Sequence, residues 1–259
     1  MRRGLGLRPL HYQAILDQQP ELDFFEAISE DFMHFSGNDY SYLKKIAKHY
    51  PIALHGVGLS IGSTDPLNKN YLRDLKKLAK TVSAISISDH FCWTGVDGKN
   101  THDLLPLPFT AETVEHLVSR IQTVQDYLDQ RILLENVSSY VTFTENEMTE
   151  WEFIASVAEK SDCFILLDVN NIFVNAFNHG FNAQHYLQGI PRTRVKQFHL
   201  AGHKQCQTHI IDTHDASIIN AVWELYREAD RYFPNTPLVI ERDSNIPPLE
   251  ELLLEFSEL

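Results

Sequence analysis

Along the chain, short apolar blocks alternate with longer segments whose apolar residues recur at helical spacing. The blocks are Gly4–Arg8, Asp23–Ser29, Ile52–Val57, Ser83–His90, Ile132–Val137, Phe164–Val169, Val195–Ala201 and Leu238–Glu241. Each has the length and pattern of a strand. FILLDV at Phe164–Val169 is almost unbroken in its apolar character, as expected for a parallel strand buried on both faces. Helices are predicted at His11–Gln18, ahead of Pro20, and at Ser41–His49, ahead of Pro51. Asp65-Pro66 opens another, with Leu67, Tyr71, Leu75 and Leu78 as its apolar face. Thr110 caps a long helix to Tyr127, and Thr144 with Glu147 forms a capping-box pattern before a helix ending near Lys160. The last three span Asn182–Gln188, Ser217–Tyr232 (Ala221, Leu225 and Ala229 on one face) and Leu249–Phe256. Phe91–Pro108 and Asn175–Asn182 read as polar loops.

Eight strands alternating with helices, without a linker or repeat, predict an α/β fold: a single (β/α)8 TIM barrel, with 1–259 as one domain. A doubly wound open sheet is the alternative, but no GxGxxG follows any strand. The net charge of -13 argues against nucleic acid or an anionic membrane as partner. No apolar run approaches a membrane span, and the N-terminal MRRGLGLRPLHY lacks the apolar stretch of a signal peptide. The cysteines, Cys92, Cys163 and Cys206, are odd in number and far apart, which fits a reducing cytoplasm better than a disulfide framework.

Barrel active sites are built where strands end, and here those ends carry chemistry. The third ends at His55 and the fourth at Asp89-His90. The fifth carries Glu135-Asn136, and the sixth carries Asp168, then Asn170 and Asn171. The seventh carries His199, and the eighth carries Glu241, Arg242 and Asp243. Any one of these has a structural explanation: His55 as a core histidine, Glu135 as the partner of Arg131 or Arg242. Six consecutive strands delivering such groups to one rim would be costly without cations. A metal-free acid–base site or a polar barrel plug is the alternative. Between Val195 and Asp215 the chain adds His203, His209, Asp212, His214 and Asp215 to His199. Extended geometry puts Asp212 and His214 on one side, whereas His209 suits the surface equally well. Glu26, His102, His179 and His185 receive no role. Neither Cys92 nor Cys206 sits in a metal-binding spacing, so nitrogen and oxygen donors are expected. These suit iron, manganese or zinc alike.

GLGLRPLHY, HGVGLSIG, SDHFCW, LLPLP, ENVSSY, LLDVNNIFVN, HLAGH, IDTHD and IERD occur in this order. Together they resemble the DUF692 (UPF0276) family of multinuclear non-haem iron-dependent oxidative enzymes, related to the methanobactin-synthesis oxygenase subunit. The match runs from Gly4 to about Asp243. The resemblance implies a TIM barrel holding two or three iron ions, with zinc or manganese as alternatives in purified protein. It implies that His55, His90 and Glu135 hold one metal, and that Glu135 bridges to a second held with Asp168, His199 and Glu241. Asn171, His203, Asp212 and His214 would surround a third position. Catalytic roles are expected of Glu135, Asp168 and His199. The implied reaction uses O2 to modify cysteine in a ribosomally synthesised peptide, presented by a small partner protein. A metal-dependent hydrolase or isomerase on a xylose-isomerase-like barrel is the competing expectation, and a non-catalytic metal-binding protein a third.

Overall fold

In the computed structural model, which describes residues 2–259, all eight predicted strands form and pair in parallel around a closed ring. In chain order, the N-terminal part is β1 (Arg3–Gly6), α1 (Tyr12–Gln18), β2 (Phe24–Ile28), α2 (Ser29–Phe32), α3 (Gly37–Ile46), β3 (Ile52–His55), α4 (Lys69–Val82) and β4 (Ser86–His90). An antiparallel hairpin, β5 (Trp93–Val96) and β6 (Lys99–Leu105), leads to α5 (Ala111–Leu128), β7 (Leu133–Glu135), α6 (Glu150–Ser161), β8 (Phe164–Asp168), α7 (Val169–His179) and α8 (Ala183–Gly189). The chain then runs through β9 (Val195–Leu200), β10 (Lys204–Gln205), β11 (Ile210–Ile211), α9 (Asn220–Tyr232), β12 (Leu238–Ile240) and α10 (Leu249–Glu255). The ring order is β1-β12-β9-β8-β7-β4-β3-β2.

The two-residue period of a strand sorts side chains between the two faces of the sheet. Phe25, Ala27, Leu54, Leu238 and Ile240 join the large apolar layer, to which the helices contribute, whereas Phe24, Ala53 and Val239 form a separate small cluster. A Cβ on Gly4 would lie 2.4 Å from the Phe24 ring, so glycine there leaves space for the phenyl group. On the face shared with Phe24, the next position along β2 is Glu26, and the polar groups described below begin there.

Several predicted details shift. The helix expected at Asp65-Pro66 begins at Lys69, capped by Asn68, whose side-chain oxygen accepts from the Asn70 and Tyr71 amides. Asp65 instead accepts from the Asp97 and Gly98 amides at 2.9 and 3.0 Å and so anchors the hairpin turn. The buried stripe of α4 is Leu72, Leu75, Leu78 and Val82, leaving Leu67 and Tyr71 only partly covered. The capping box belongs to Thr149 and Glu152, not to Thr144 and Glu147. Glu147 caps another helix, accepting from the Ala111 amide at 2.8 Å. On α9 the covered residues include Val222, Trp223, Leu225, Tyr226 and Ala229, and Ala221 faces out. The predicted loop Phe91–Pro108 contains the β5–β6 hairpin, and most of Asn175–Asn182 is the end of α7.

Candidate metal centre

Glu135 ends β7 at the centre of the polar cluster. Its Oε2 lies 3.4 Å from each of three ring nitrogens: His55 Nε2 from β3, His90 Nε2 from β4 and His199 Nδ1 from β9. Neither Glu135 Oε2 nor His199 Nδ1 has a hydrogen-bond partner, although both are buried. The far nitrogens of these rings are engaged. Ser88 Oγ donates to the Leu54 carbonyl, so at 2.9 Å it accepts from His55 Nδ1. His90 Nδ1 donates to the Gly56 carbonyl at 3.1 Å. His199 Nε2 lies 2.7 Å from Glu26 Oε1. His55 and His90 therefore each have a ring proton drawn outward, which turns the other nitrogen toward Glu135 as a metal-binding imidazole requires, while His199 Nε2 also lies 3.1 Å from Gln197 Nε2 and makes no aligned hydrogen bond with Glu26 Oε1.

Two more carboxylates close the other side. Asp168, the last residue of β8, uses Oδ1 to cap α7 through the Asn171 amide at 2.7 Å, and its buried Oδ2 accepts nothing. Asn136 fixes the Asp168 backbone with paired hydrogen bonds of 2.9 and 3.0 Å. Glu241, one residue beyond β12, places Oε2 3.2 Å from His199 Nδ1. Ligand atoms of Glu135, Asp168, His199 and Glu241 all lie within 4.8 Å of one another, as do those of His55, Glu135 and His199. Unpaired oxygen and nitrogen atoms converging from separate strands suit a divalent cation, and the donors suit a borderline or hard one.

The outer residues are arranged differently. His214 Nε2 pairs with Asp212 Oδ1 at 2.8 Å, and its Nδ1 lies 3.3 Å from Glu241 and 3.2 Å from Asp243. His214 has φ of 47°, a left-handed conformation anchored by the hydrogen bond its backbone N–H donates to the Gly202 carbonyl. A Cβ on Gly202 would come within 1.9 Å of the Ala216 carbonyl oxygen, so the close passage of the two segments requires glycine. His203 stacks on Phe173 and its Nδ1 meets Asn170 Oδ1 at 2.7 Å, with Asn170 donating onward to Asp212. Asn171 presents an unpaired Oδ1 to the cavity. The 4.8 Å groupings found among the described residues leave out His90, His203, Asp212 and His214.

With no cation present, protons neutralise the cluster. Burial pushes the Glu135 carboxyl up, but His199 and His90 outweigh that and hold it down at about 2. His90 is disfavoured as a cation by burial, yet Glu135 and Asp89 raise it to about 9. His199 and His214 are likewise driven well up against burial, His199 chiefly by Glu241 and His214 by Asp212. Asp168 is pushed well above the carboxylate range by burial and then by Glu135. Metals binding here would release protons from these rings.

A cavity of about 370 Å3 opens above the cluster. His55, His90, Glu135, Asn171, Asp212, His214 and Glu241 line it, with Asp103–Pro106 from the hairpin and Val137–Val141 from the loop after β7 as walls. The structure thus brings His55, His90, Glu135, Asp168, His199 and Glu241 together. It carries Asn171, Asp212 and His214 to the same mouth and connects His203 through Asn170. His209, His102 and His185 are exposed, and His179 bonds Ser139. The sequence left two participants without a role. Glu26 is not the last residue of its strand, but it shares a strand face with Phe24. Asp243 stands two residues beyond Glu241, on the pattern that groups Asp212 with His214.

A family model described as "RiPP precursor modification enzyme MbnB/TglH/ChrH" matches residues 2–259. The chain belongs to this family. MbnB/TglH/ChrH enzymes are described as acting on precursors of ribosomally synthesised, post-translationally modified peptides, and membership marks this chain as an enzyme. Curated relatives carry the UPF0276 name expected from the motifs. One from Caulobacter vibrioides is 49% identical over 253 residues, covering 97% of this chain and 90% of its own. Another from Anaeromyxobacter is 48% identical over 252 residues, covering 97% and 89%. Solved structures similar in fold include epimerases. The 3-keto-D-glucoside 4-epimerase YcjR from E. coli has a TM-score of 0.61 at 15% identity, covering 99% of this chain and 98% of its own. D-psicose 3-epimerase from Clostridium cellulolyticum has 0.62 at 11%, covering 96% and 87%. At such identities the likeness concerns the barrel alone. No helix among the described residues is long and apolar enough to cross a membrane.

Proposed function

We propose that this MbnB/TglH/ChrH-family chain is a multinuclear non-haem iron-dependent oxidative enzyme that uses O2 to modify cysteine in a ribosomally made peptide. The observation that carries the reading is the unpaired Glu135 Oε2, facing three imidazoles on the floor of an open cavity. Glu135, His55 and His90 would hold one metal. Glu135 would also serve a second, with Asp168, His199 and Glu241. Asn171, His203, Asp212 and His214 would surround a third, with Asp243 beside His214. Bound iron would supply redox electrons and coordination positions open to O2 and a thiolate.

The chain's own residues do the rest. Ser88 and Gly56 hold the His55 and His90 rings in orientation, and Asn136 and the start of α7 hold Asp168. Leu104, Leu105, Pro106, Val137 and Val141 give the cavity apolar walls that exclude water from a bound cysteine side chain. The Tyr140 hydroxyl accepts from the Asp212 amide at 3.0 Å and fixes the mouth. A small partner protein would present the peptide. We take 1–259 as one cytoplasmic domain, Met1 lying outside the described residues.

A second reading, a metal-dependent isomerase or hydrolase, rests on the donor set, whose nitrogen and oxygen atoms suit zinc or manganese as well as iron. Anaerobic iron loading followed by oxygen-electrode measurements with cysteine peptides separates the two. Oxygen uptake and a changed peptide mass are expected, with a Cys→Ser peptide left unmodified. Conversion of the serine peptide at a similar rate, or turnover without O2 by zinc-loaded protein, would return the advantage to the second reading.

A further inference from the structure

We infer that Tyr140 divides the cavity over the metal cluster from a side-chain subsite, and that this subsite takes an apolar residue flanking the reacting cysteine of the peptide. The inference deepens the cysteine-peptide reading above and rests on it. A groove of about 460 Å3 beside the cavity is lined by Tyr140, Asn178, His179, His209 and Ile211. Tyr140 is the one residue that this lining shares with the cavity, so the two spaces meet at its side chain. Tyr140 is 52% exposed, and Val141, on the cavity wall, is 59% exposed. Apolar surface left open beside a cavity with convergent polar groups is the usual mark of a place that a ligand covers.

The partition is tethered at both ends. The Tyr140 hydroxyl accepts from the Asp212 amide, and Ser138 Oγ donates to Asp212 Oδ2 at 3.1 Å. Ser139, next in the chain to both, donates its amide to Asn175 Oδ1 at 2.8 Å, and its hydroxyl meets His179 Nε2 at 2.8 Å. A ring held in this way has little freedom left to lose when a ligand packs on it. The chemistry of the groove decides what it takes. Among the described residues no aspartate, glutamate, lysine or arginine lines it. Asn178 pairs with the Ile210 backbone through both its nitrogen and its oxygen, and His179 Nε2 is engaged by Ser139. What remains for a ligand is the Tyr140 ring, the half-buried Ile211 side chain and the exposed His209 imidazole. These suit an aliphatic or aromatic side chain and offer a charged one no fixed opposite charge. Because the groove meets the cavity at Tyr140 alone, a peptide with its thiol over the metal cluster can send only one of the cysteine's two neighbours into it.

The test uses the whole chain, loaded anaerobically with Co(II) and titrated with end-blocked Gly-Cys-Gly, Leu-Cys-Gly and Gly-Cys-Leu. The absorption band of a thiolate on Co(II) reports binding, and serine counterparts should give no band. One leucine peptide, and only one, should bind about 10-fold more tightly than Gly-Cys-Gly, the gain expected from covering an aliphatic side chain. Tyr140→Ala and Ile211→Ala should each bring that ratio close to one, whereas Tyr140→Phe, which keeps the ring, should preserve most of it. Reading the ratio within each variant cancels any general effect on the mouth. If Gly-Cys-Gly gives the band but neither leucine peptide binds better, or both gain equally, the subsite is overturned while the cysteine reading stands. A preference that survives both alanine variants overturns it too, since the leucine then lies elsewhere. If no cysteine peptide gives the band, the cysteine reading falls and the subsite falls with it.

Discussion

Leaving a buried carboxylate oxygen without a hydrogen bond costs about 1–3 kcal/mol, and Glu135 Oε2 and Asp168 Oδ2 both stand in that condition. Their separate neighbours make their loss distinguishable. Glu135→Ala should release more than one metal per chain, because three imidazoles from three strands face that single oxygen. His214→Ala should release only the outermost, because His214 meets Asp212, Asp243 and Glu241 at the mouth. Elemental analysis after iron loading decides this, and equal single-metal losses would remove the bridging role. Residues such as Asp168 were legible in the sequence because a carboxylate ending FILLD has no packing purpose. Glu26 was not, since Ala27 and Ile28 follow it and hide its inward face within an ordinary apolar block.

At the level of elements, the eight barrel strands were legible and α7 was not, for a physical reason. Asparagine is a poor helix former, and α7 contains Asn170, Asn171, Asn175 and Asn178. Their side chains stitch loops to the helix. Asn171 donates to the Asn136 carbonyl, Asn175 bonds the Ser139 amide and Val137 carbonyl, and Asn178 pairs with the Ile210 backbone. Such contacts are tertiary and leave no periodic trace. Asn175 also donates to Glu150 at the start of α6, where Tyr186 donates at 2.8 Å. Burial raises this carboxyl from 4.5 to about 7, against the opposing effect of those two donors. The folded protein thus keeps a proton that the unfolded chain has released. The stabilisation is full below about pH 4.5 and is lost as pH rises to about 7. Glu150→Gln should remove this dependence and be the more stable form at pH 8, by on the order of 2 kcal/mol. Urea unfolding at pH 5 and pH 8 checks it, and an unchanged pH slope in the variant would show that Glu150 is not the source.

For the whole molecule, the ring of carboxylates and imidazoles makes stability depend on cations. Free metal at about a thousand times its dissociation constant should stabilise the fold by roughly 4 kcal/mol, or on the order of 10 °C in Tm for a chain of this size. Calorimetry with and without a chelator measures it, and identical melting curves would contradict a metal site linked to folding. The barrel's closure has a further consequence. Its seam joins the first strand to the last, Arg3 to Leu238, and a second clasp joins Arg8 to Asp243. During synthesis the earlier strands are made long before their final neighbour, so the nascent sheet keeps two raw edges until Leu238–Ile240 has left the ribosome. Glu241 follows immediately behind. The metal-binding cluster is therefore among the last features a newborn chain completes, and a ribosome stalled short of β12 holds a protein that has most of its ligands and no closed vessel in which to use them.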